Sequence, residues 1–338
     1  MLKYKQLYFK IAGECMNFKV IDEKNGTVQG FALVRSCDKK TSKNGSFYLD
    51  MILSDSDGEI NAKVWDYKGD DTAMPLVNTV ILVRGVISTY NNAPQMRIDR
   101  YRQSEERDGI NMADFVPSAS YSAEDMLRKV HSYIDSLQDE DLRKLCNAVV
   151  ADYGEKMSVW PAAYKLHHAI RGGLLLHTLS IMKLADAVSA LYVSVDRDLL
   201  LCGALLHDIA KLSEFNVSAA GLVESYTVRG TLVGHLVGGA MLVEHYAKKL
   251  GLNADTVMLV QHMLASHHGE PEYGAAVRPQ FLEAEILSQL DLMDANIYEI
   301  NAALGSIAPG EFTSRMWSLQ DRKFYHHGRK QISTDVNF

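Results

Sequence analysis

The chain has 338 residues, 47% of them hydrophobic and 23% charged. That is the balance of a soluble globular protein with material for two cores, and it excludes intrinsic disorder and a disulfide-stapled mini-domain. Net charge is −7, unevenly spread: residues 1–107 hold 16 Lys and Arg against 14 Asp and Glu, the remainder 19 against 28, and every histidine lies at or after His131, so two chemically different halves meet near residue 107.

At the N-terminus Lys3, Lys5 and Lys10 are followed by no continuous apolar run, so no signal peptide is expected. The longest strongly apolar run, Leu199–Leu206, is far short of the roughly 20 residues that span a bilayer. Cys15, Cys37, Cys146 and Cys202 form no CxxC pair, which rules out a zinc ribbon and fits reduced thiols. The expectation is a cytoplasmic protein with no membrane partner.

From Gly30 to Arg102 short β runs alternate with turn residues. They are Phe31–Ser36, Ser46–Ser54, Glu59–Asp66, Thr79–Tyr90 and Gln95–Tyr101, with Cys37–Gly45 a polar stretch between the first two. Asp55-Ser56-Asp57-Gly58 reads as a hairpin turn with Gly58 at positive φ, and Asn91-Asn92-Ala93-Pro94 as a second turn. Five strands, with a weakly helical piece between the third and fourth, predict a small closed barrel, of which the OB-fold is the best-known of that size and order. In the third strand Ile60, Ala62 and Val64 share one face, while Lys63 and Trp65 take the other. Trp65, with Lys63 on its face, is either a base-stacking platform beside a basic groove supplied by Lys39, Lys40, Lys43, Arg84, Arg97, Arg100 and Arg102, or a ring covered by the following segment beside solvated edge charges; Trp65, Lys63, Arg84 and Arg97 are the candidate contacts.

Residues 108–122 read as a linker. Ser122 then stands three before Asp125, a capping-box-like start to a helix carrying Met126, Leu127, Val130, Ile134 and Leu137. Helical patterns follow over about 174–191, 198–213, 234–250, 255–266 and 280–304. The expected organisation is an all-β OB-like domain over 1–107, an all-α bundle over 123–305 and a tail over 306–338. The tail interleaves Arg315, Arg322, Lys323, Arg329 and Lys330 with Trp317, Phe324 and Tyr325. It is read as a strap on its own domain or a neighbouring subunit, ahead of a contact with a single strand.

Inside the apolar helices sit His177, His207-Asp208, His235, His267-His268 and Asp291. Burying imidazoles and carboxylates there is costly unless they are paired or bind metal. A single core histidine is usually hydrogen-bonded, but five segments each presenting a His or Asp form a ligand set for Mn, Fe, Co, Ni or Zn. Two divalent ions suit in-line attack on a phosphodiester and need no Ser or Cys nucleophile. Lys211, four residues after His207, is placed by a helix on the same face, to neutralise a phosphate oxygen or to sit at the surface. Arg171, beside Gly172-Gly173, grips phosphate or pairs with a structural carboxylate.

The order His…His-Asp…His…His-His…Asp over about residues 160–300 resembles the HD superfamily of metal-dependent phosphohydrolases. The resemblance implies that His177, His207, Asp208 and Asp291 hold one ion, with Asp208 bridging to a second held by His235 and by His267 or His268. His262, five before His267, is either a substitute ligand or, as favoured, part of the surrounding shell or core. A barrel followed by this domain, with Tyr164-Lys-Leu-His167-His168-Ala-Ile-Arg171-Gly172-Gly173-Leu-Leu-Leu-His177-Thr, Leu-Leu-His207-Asp208-Ile-Ala-Lys211, Gly234-His235 and Ser266-His267-His268-Gly269, resembles the YhaM-type 3′-to-5′ exoribonucleases. Ala210 stands where that family usually has Gly.

The resemblance implies 3′-end hydrolysis of single-stranded RNA, with single-stranded DNA a possible further substrate, to nucleoside 5′-monophosphates. Its cofactors would be two divalent ions, Mn foremost, with Mg, Fe, Co or Ni compatible; separately, an acidic bundle with an exposed barrel suits a homo-oligomer. Two alternatives stand beside it: an HD hydrolase of a small nucleotide with a regulatory barrel, and a non-catalytic OB-type nucleic-acid-binding protein. Gly-Glu-Pro-Glu-Tyr-Gly after His268 lacks the GYP signature of the cyclic-dinucleotide branch.

Overall fold

In the computed structural model residues 15–18, 26–56, 58–91, 93–164 and 168–338 are described; Lys3, Lys5, Lys10, Asp57, Asn92 and His167, invoked above, lie outside them. The chain divides into two compact units. One ends at Pro117 and takes in Ser218–Ala220; the other comprises Ser118–Val217 and Gly221–Phe338.

The first unit is built on β1 (Thr27–Thr41), β2 (Phe47–Ser54), β3 (Glu59–Val64), β4 (Val80–Tyr90) and β5 (Ala93–Gln103). They close in the order β1-β2-β3-β5-β4, with β4 returning to β1 and β3 pairing β5 in parallel. This is the OB strand order, as the sequence led us to expect. Leu49, Met51 and Leu53 of β2 and Ile60 and Ala62 of β3 alternate into a core shared with Ile81, Val83, Met96 and Ile98. Gly85 sits at a bulge between β4 and β5, where a Cβ would come within 2.2 Å of the Arg97 carbonyl oxygen, so no larger residue fits.

Three local readings need correction. The first strand does not stop at Ser36: a bulge between Val34 and Ser36 lets β1 pair with β4 in its first half and β2 in its second, through Thr41. Its exposed polar side chains hid this, because backbone bonds set the pairing. The third strand ends at Val64, and Trp65 stands in the turn that follows. The Asp55 carboxylate helps close the turn after β2, accepting from Gly58 N at 2.8 Å. The segment expected as linker carries one-turn helices at Glu106–Asp108 and Met112–Asp114, and Asp108 ties it to Arg102 of β5 at 2.7 and 2.8 Å.

The second unit contains α1 (Ala123–Asp135), α2 (Glu140–Met157), α3 (Gly173–Leu191), α4 (Arg197–Leu206), α5 (Lys211–Glu214), the hairpin β6–β7 (Phe215–Val217, Val223–Tyr226), α6 (Val228–Leu250), α7 (Ala254–Ser266) and α8 (Leu282–Leu304). Ser122 caps α1 by accepting from Asp125 N at 3.0 Å. Among the described residues α3 is the one helix long and apolar enough to cross a membrane, and its Gly173–Met182 stretch is buried in the bundle core. The tail after α8 straps its own unit: Thr313, Leu319 and His326 are buried, the Asn337 carbonyl accepts from Lys183 Nζ, and the Phe338 ring lies 4.9 Å from Tyr121.

The pattern over 198–213 is not one helix. α4 ends at Leu206, and tighter bonds take over: Ile209 N to Leu206 O at 3.1 Å and Lys211 N to Asp208 O at 3.0 Å. Lys211 therefore meets Asp208 rather than sharing a helix face with His207. Ala210 has φ −75°, right-handed geometry that accepts a methyl without strain. The helix expected from residue 234 begins at Val228 and breaks at Gly234 (φ 71°, ψ 169°).

Candidate metal centre

Five segments bring their polar residues to one point in the bundle. His177 lies one turn into buried α3, His207 and Asp208 at the tightened end of α4, and His235 just after the break in α6. His267 and His268 follow the last residue of α7, and Asp291 lies on α8. Apolar flanking residues such as Leu174, Leu205, Leu206 and Leu264 are fully or almost fully buried. Their burial pulls these helices together and carries the polar groups in with them.

The groups fall into two sets joined by Asp208. His177 Nε2 and His207 Nε2 are 3.3 Å apart, with His177 Nε2 3.1 Å from Asp291 Oδ1. Asp208 Oδ2 faces this set, 3.3 Å from His207 Nε2 and 3.7 Å from His177 Nε2. Asp208 Oδ1 faces the other, 3.4 Å from His235 Nε2 and 3.7 Å from His267 Nε2. His268 Nε2 completes that set, 3.3 Å from His235 Nε2. Potential ligand atoms of His177, His207 and Asp208, and of His235, His267 and His268, each lie within 4.8 Å of one another.

An outer ring holds every imidazole by its other nitrogen. Nδ1 of His207, His267 and His268 donates to the carbonyls of Ala204, Leu264 and Tyr273 at 2.9, 2.9 and 2.8 Å. His177 Nδ1 meets Asp294 at 2.8 Å, and His235 Nδ1 meets Glu214 at 3.0 Å. The same Asp294 oxygen bonds His168 Nε2 at 2.9 Å. Five Nε2 atoms thus aim inward, the arrangement that orients histidines for a metal ion. Glu214, Asp294 and His168 were not singled out from the sequence. Their available signals were Asp294 one turn beyond Asp291, the tandem His167-His168 and an acidic residue close after His207-Asp208.

The electrostatics agree with a ligand set. Burial would raise the Asp208 carboxyl, but Lys211 and the surrounding histidines hold it well below the usual carboxylate range. Burial likewise opposes charge on Lys211, yet Asp208, 2.6 Å from its Nζ, keeps the ammonium protonated. Burial lowers His267 and His268, keeping them in the neutral form that binds metal. At His177 burial is outweighed by Asp291 and Asp294, and the ring is pushed up to about 10, so a cation bound there takes the place of its Nε2 proton.

These residues fit a divalent cation. Asp208 Oδ1 and His267 Nε2 are buried with no hydrogen-bond partner; both are acceptors once His267 Nδ1 carries the proton, so neither satisfies the other. His235 and His268 likewise turn Nε2 lone pairs toward each other. Orphaned acceptors in a dry core are expensive, and a shared cation satisfies them together.

The remaining expected residues are placed as follows. His262 lies outside both sets: its Nε2 accepts from Gln280 N at 3.0 Å and its ring packs 5.2 Å from Phe281. Arg171 is half-buried with its side chain against Gly221, and desolvation lowers the basicity of its guanidinium. On the barrel, Trp65 is 46% exposed and stacks 4.8 Å from Tyr48. Lys63 lies over both rings but is ion-paired to Asp50 at 3.0 Å. Arg97 stands opposite Lys63 in the parallel β3–β5 register and contacts Asp99 at 3.5 Å. Arg84 is exposed, opposite Arg100.

Comparison with known proteins gives consistent results. A family model described as HD domain matches residues 166–296. A Listeria welshimeri protein named 3′-5′ exoribonuclease YhaM is 36% identical over 312 residues, covering 92% of this chain and 99% of the relative. A Geobacillus protein of the same name is 35% identical over 298 residues, 88% of this chain and 91% of the relative. One from Bacillus licheniformis is 34% identical over 306 residues, 90% and 96% of the two.

Proposed function

The chain belongs to the YhaM family of 3′-5′ exoribonucleases, and from that premise we propose that it hydrolyses single-stranded RNA stepwise from the 3′ end, releasing nucleoside 5′-monophosphates. The observation that carries the proposal is the convergence of four Nε2 atoms, of His177, His207, His235 and His267, on the two oxygens of Asp208, with His268 Nε2 beside that of His235.

His177, His207, Asp291 and Asp208 Oδ2 would hold one divalent ion, and His235, His267, His268 and Asp208 Oδ1 a second, with Mn foremost among candidates. Bound there, the ions would supply Lewis-acid polarisation of a phosphodiester oxygen and a nucleophilic water at neutral pH. The protein's own part is orientation and charge. Asp208 spans both sets because a carboxylate has two oxygens. Lys211 fixes Asp208 with one N–H and has two further donors for a phosphate oxygen, where added negative charge develops during attack. Arg171 is assigned as a second phosphate contact. Buried Leu205, Leu206 and Leu264 exclude bulk water and strengthen each of these interactions.

On the barrel, Trp65 with Lys63, Arg84 and Arg97 is assigned to the strand; base stacking on aromatics tolerates sequence and would extend to single-stranded DNA. A cytoplasmic setting is assigned from the wide spacing of the four cysteines, which form no CxxC pair. We assign a homo-oligomeric state, supported by exposed apolar side chains on α6 such as Leu232 and Met241.

The test is product chemistry. Single-stranded RNA digested with Mn²⁺ present should yield nucleoside 5′-monophosphates from the first time point. Nucleoside 3′-phosphates, or turnover of free nucleotides without attack on the oligomer, would overturn the proposal.

A further inference from the structure

The tail does more than strap the bundle. Between Glu311 and His326 it doubles back as an irregular hairpin: Thr313 N donates to Phe324 O at 2.9 Å, Met316 N to Arg322 O at 3.0 Å and His326 N to Glu311 O at 2.9 Å. Thr313, Leu319 and His326 turn inward and are buried, which suffices to fasten the segment. The large aromatics turn outward: Trp317 is 74% exposed and Phe312 61%, with the Phe312 and Tyr325 rings 5.0 Å apart. Fastening does not explain aromatic rings held in water.

The charges have the same character. Arg315, Arg322, Lys323, Arg329 and Lys330 fall in a stretch whose carboxylates are Glu311 and Asp321, a positive patch on the more acidic half of the chain. Among the described residues none of these five has an ion-pair partner, although Arg315 and Arg322 each donate to a carbonyl of the hairpin, Asp321 O at 3.4 Å and Leu319 O at 2.9 Å, and Arg322 lies 5.3 Å over the Phe324 ring. What sets the patch apart is its composition, five cations and two carboxylates over residues 311–330, beside the exposed rings. The hairpin is also anchored to the metal centre's own scaffold. Ser318 Oγ bonds Glu299 Oε2 at 2.5 Å on α8, and the eight-residue step from Asp291 to Glu299 is a rise of about 12 Å along that helix.

We infer that this hairpin is a second binding site for single-stranded RNA. Bases stack on Trp317 and on the Phe312–Tyr325 pair, and the unpaired cations hold the phosphates of the strand whose end is being cleaved. The ligand class rests on the exoribonuclease reading; the site itself rests on the concentration of cations without a carboxylate partner beside exposed rings.

The experiment measures anisotropy of a short 5′-fluorescein single-stranded RNA with the full chain, in chelator so that no hydrolysis intervenes. The triple variant Arg315→Ala, Arg322→Ala, Lys323→Ala should bind about tenfold or more weakly, and its plot of log K against log salt should be shallower by about 2, near 0.7 per cation lost. Trp317→Ala should weaken binding, and Trp317→Phe should restore most of it. A 4-thiouridine RNA irradiated with the unmutated protein should leave adducts between residues 312 and 325, an arm that requires no variant to fold. Unchanged affinity and slope, no adduct in that segment, or capture of phosphatidylserine vesicles in preference to RNA would each overturn the inference. If the unmutated enzyme fails to shorten RNA, the exoribonuclease reading falls instead, because the binding arms are read without hydrolysis.

Discussion

Glu214 holds His235 at two points: one carboxylate oxygen accepts from the His235 backbone N–H at 3.1 Å and from its Nδ1 at 3.0 Å. The double contact fixes the tautomer and turns Nε2 toward Asp208, 3.4 Å away. Glu214→Gln keeps the shape but removes the charge behind the imidazole. Metal affinity should fall about 10–100-fold, read by competition titration against a chelating dye, while the thermal midpoint of the metal-free protein changes little. Undiminished affinity would show that Glu214 does not orient the ligand.

The break at Gly234 makes that contact available. With φ at 71° the helix is interrupted, leaving the His235 N–H for Glu214 rather than a carbonyl. The nearest atom to a Cβ there is 3.9 Å away, so the obstacle is backbone conformation, not space. Gly234→Ala should cost about 1–3 kcal/mol in chemical unfolding, the penalty of a Cβ in a backbone conformation confined essentially to glycine, and lower metal occupancy with it. A variant of native stability and full occupancy would contradict this.

On the barrel, burial would raise Asp50, but hydrogen bonds from Lys40, Asn61 and Lys63 outweigh it and hold the carboxyl at about 2. A depressed folded pKa stabilises above the unfolded value, near 3.8, and that contribution disappears as pH falls through about 2. Asp50→Asn should therefore cost about 2 kcal/mol at neutral pH and progressively less below pH 4, measured as unfolding midpoints across pH. It also frees Lys40 and Lys63, so RNA binding at low salt should tighten. A deficit that persists at acid pH would contradict the assignment.

Trp65 stands outside the barrel core with Tyr48 beneath it. Trp65→Ala should weaken single-stranded RNA binding by about 1–3 kcal/mol, the range for loss of one stacked base, and Trp65→Phe should recover most of it. Anisotropy titration decides this, with the unfolding midpoint as control. Equal affinities for all three proteins would remove this face from the interface.

Much of this arrangement is legible in the sequence, for reasons visible in particular residues. Ile60 and Ala62 alternate because one face of β3 fills the barrel, and the imidazoles stand out because they interrupt long apolar helices. Less visible was whatever depends on backbone bonding or on a partner far along the chain. Lys39–Thr41 look like loop but extend β1 through its ladder with β2. The hairpin β6–β7 is too short for alternation to register. Asp294 and Glu214 resemble ordinary helix-surface carboxylates until the fold sets them behind His177 and His235. α2 was within reach: Leu142, Leu145, Val149 and Val150 are spaced for a helix that Asp139 caps, and the segment was not identified.

The central claim is that the Asp208 centre drives 3′-end trimming. The most direct test follows a 5′-labelled single-stranded RNA over time with Mn²⁺, using the unmutated protein beside Asp208→Ala. The account predicts a descending ladder of products from the unmutated protein and an intact oligonucleotide from the variant, with both proteins folded. A ladder undiminished in Asp208→Ala would place the chemistry elsewhere, and an RNA left intact by the metal-loaded unmutated protein would contradict the account outright.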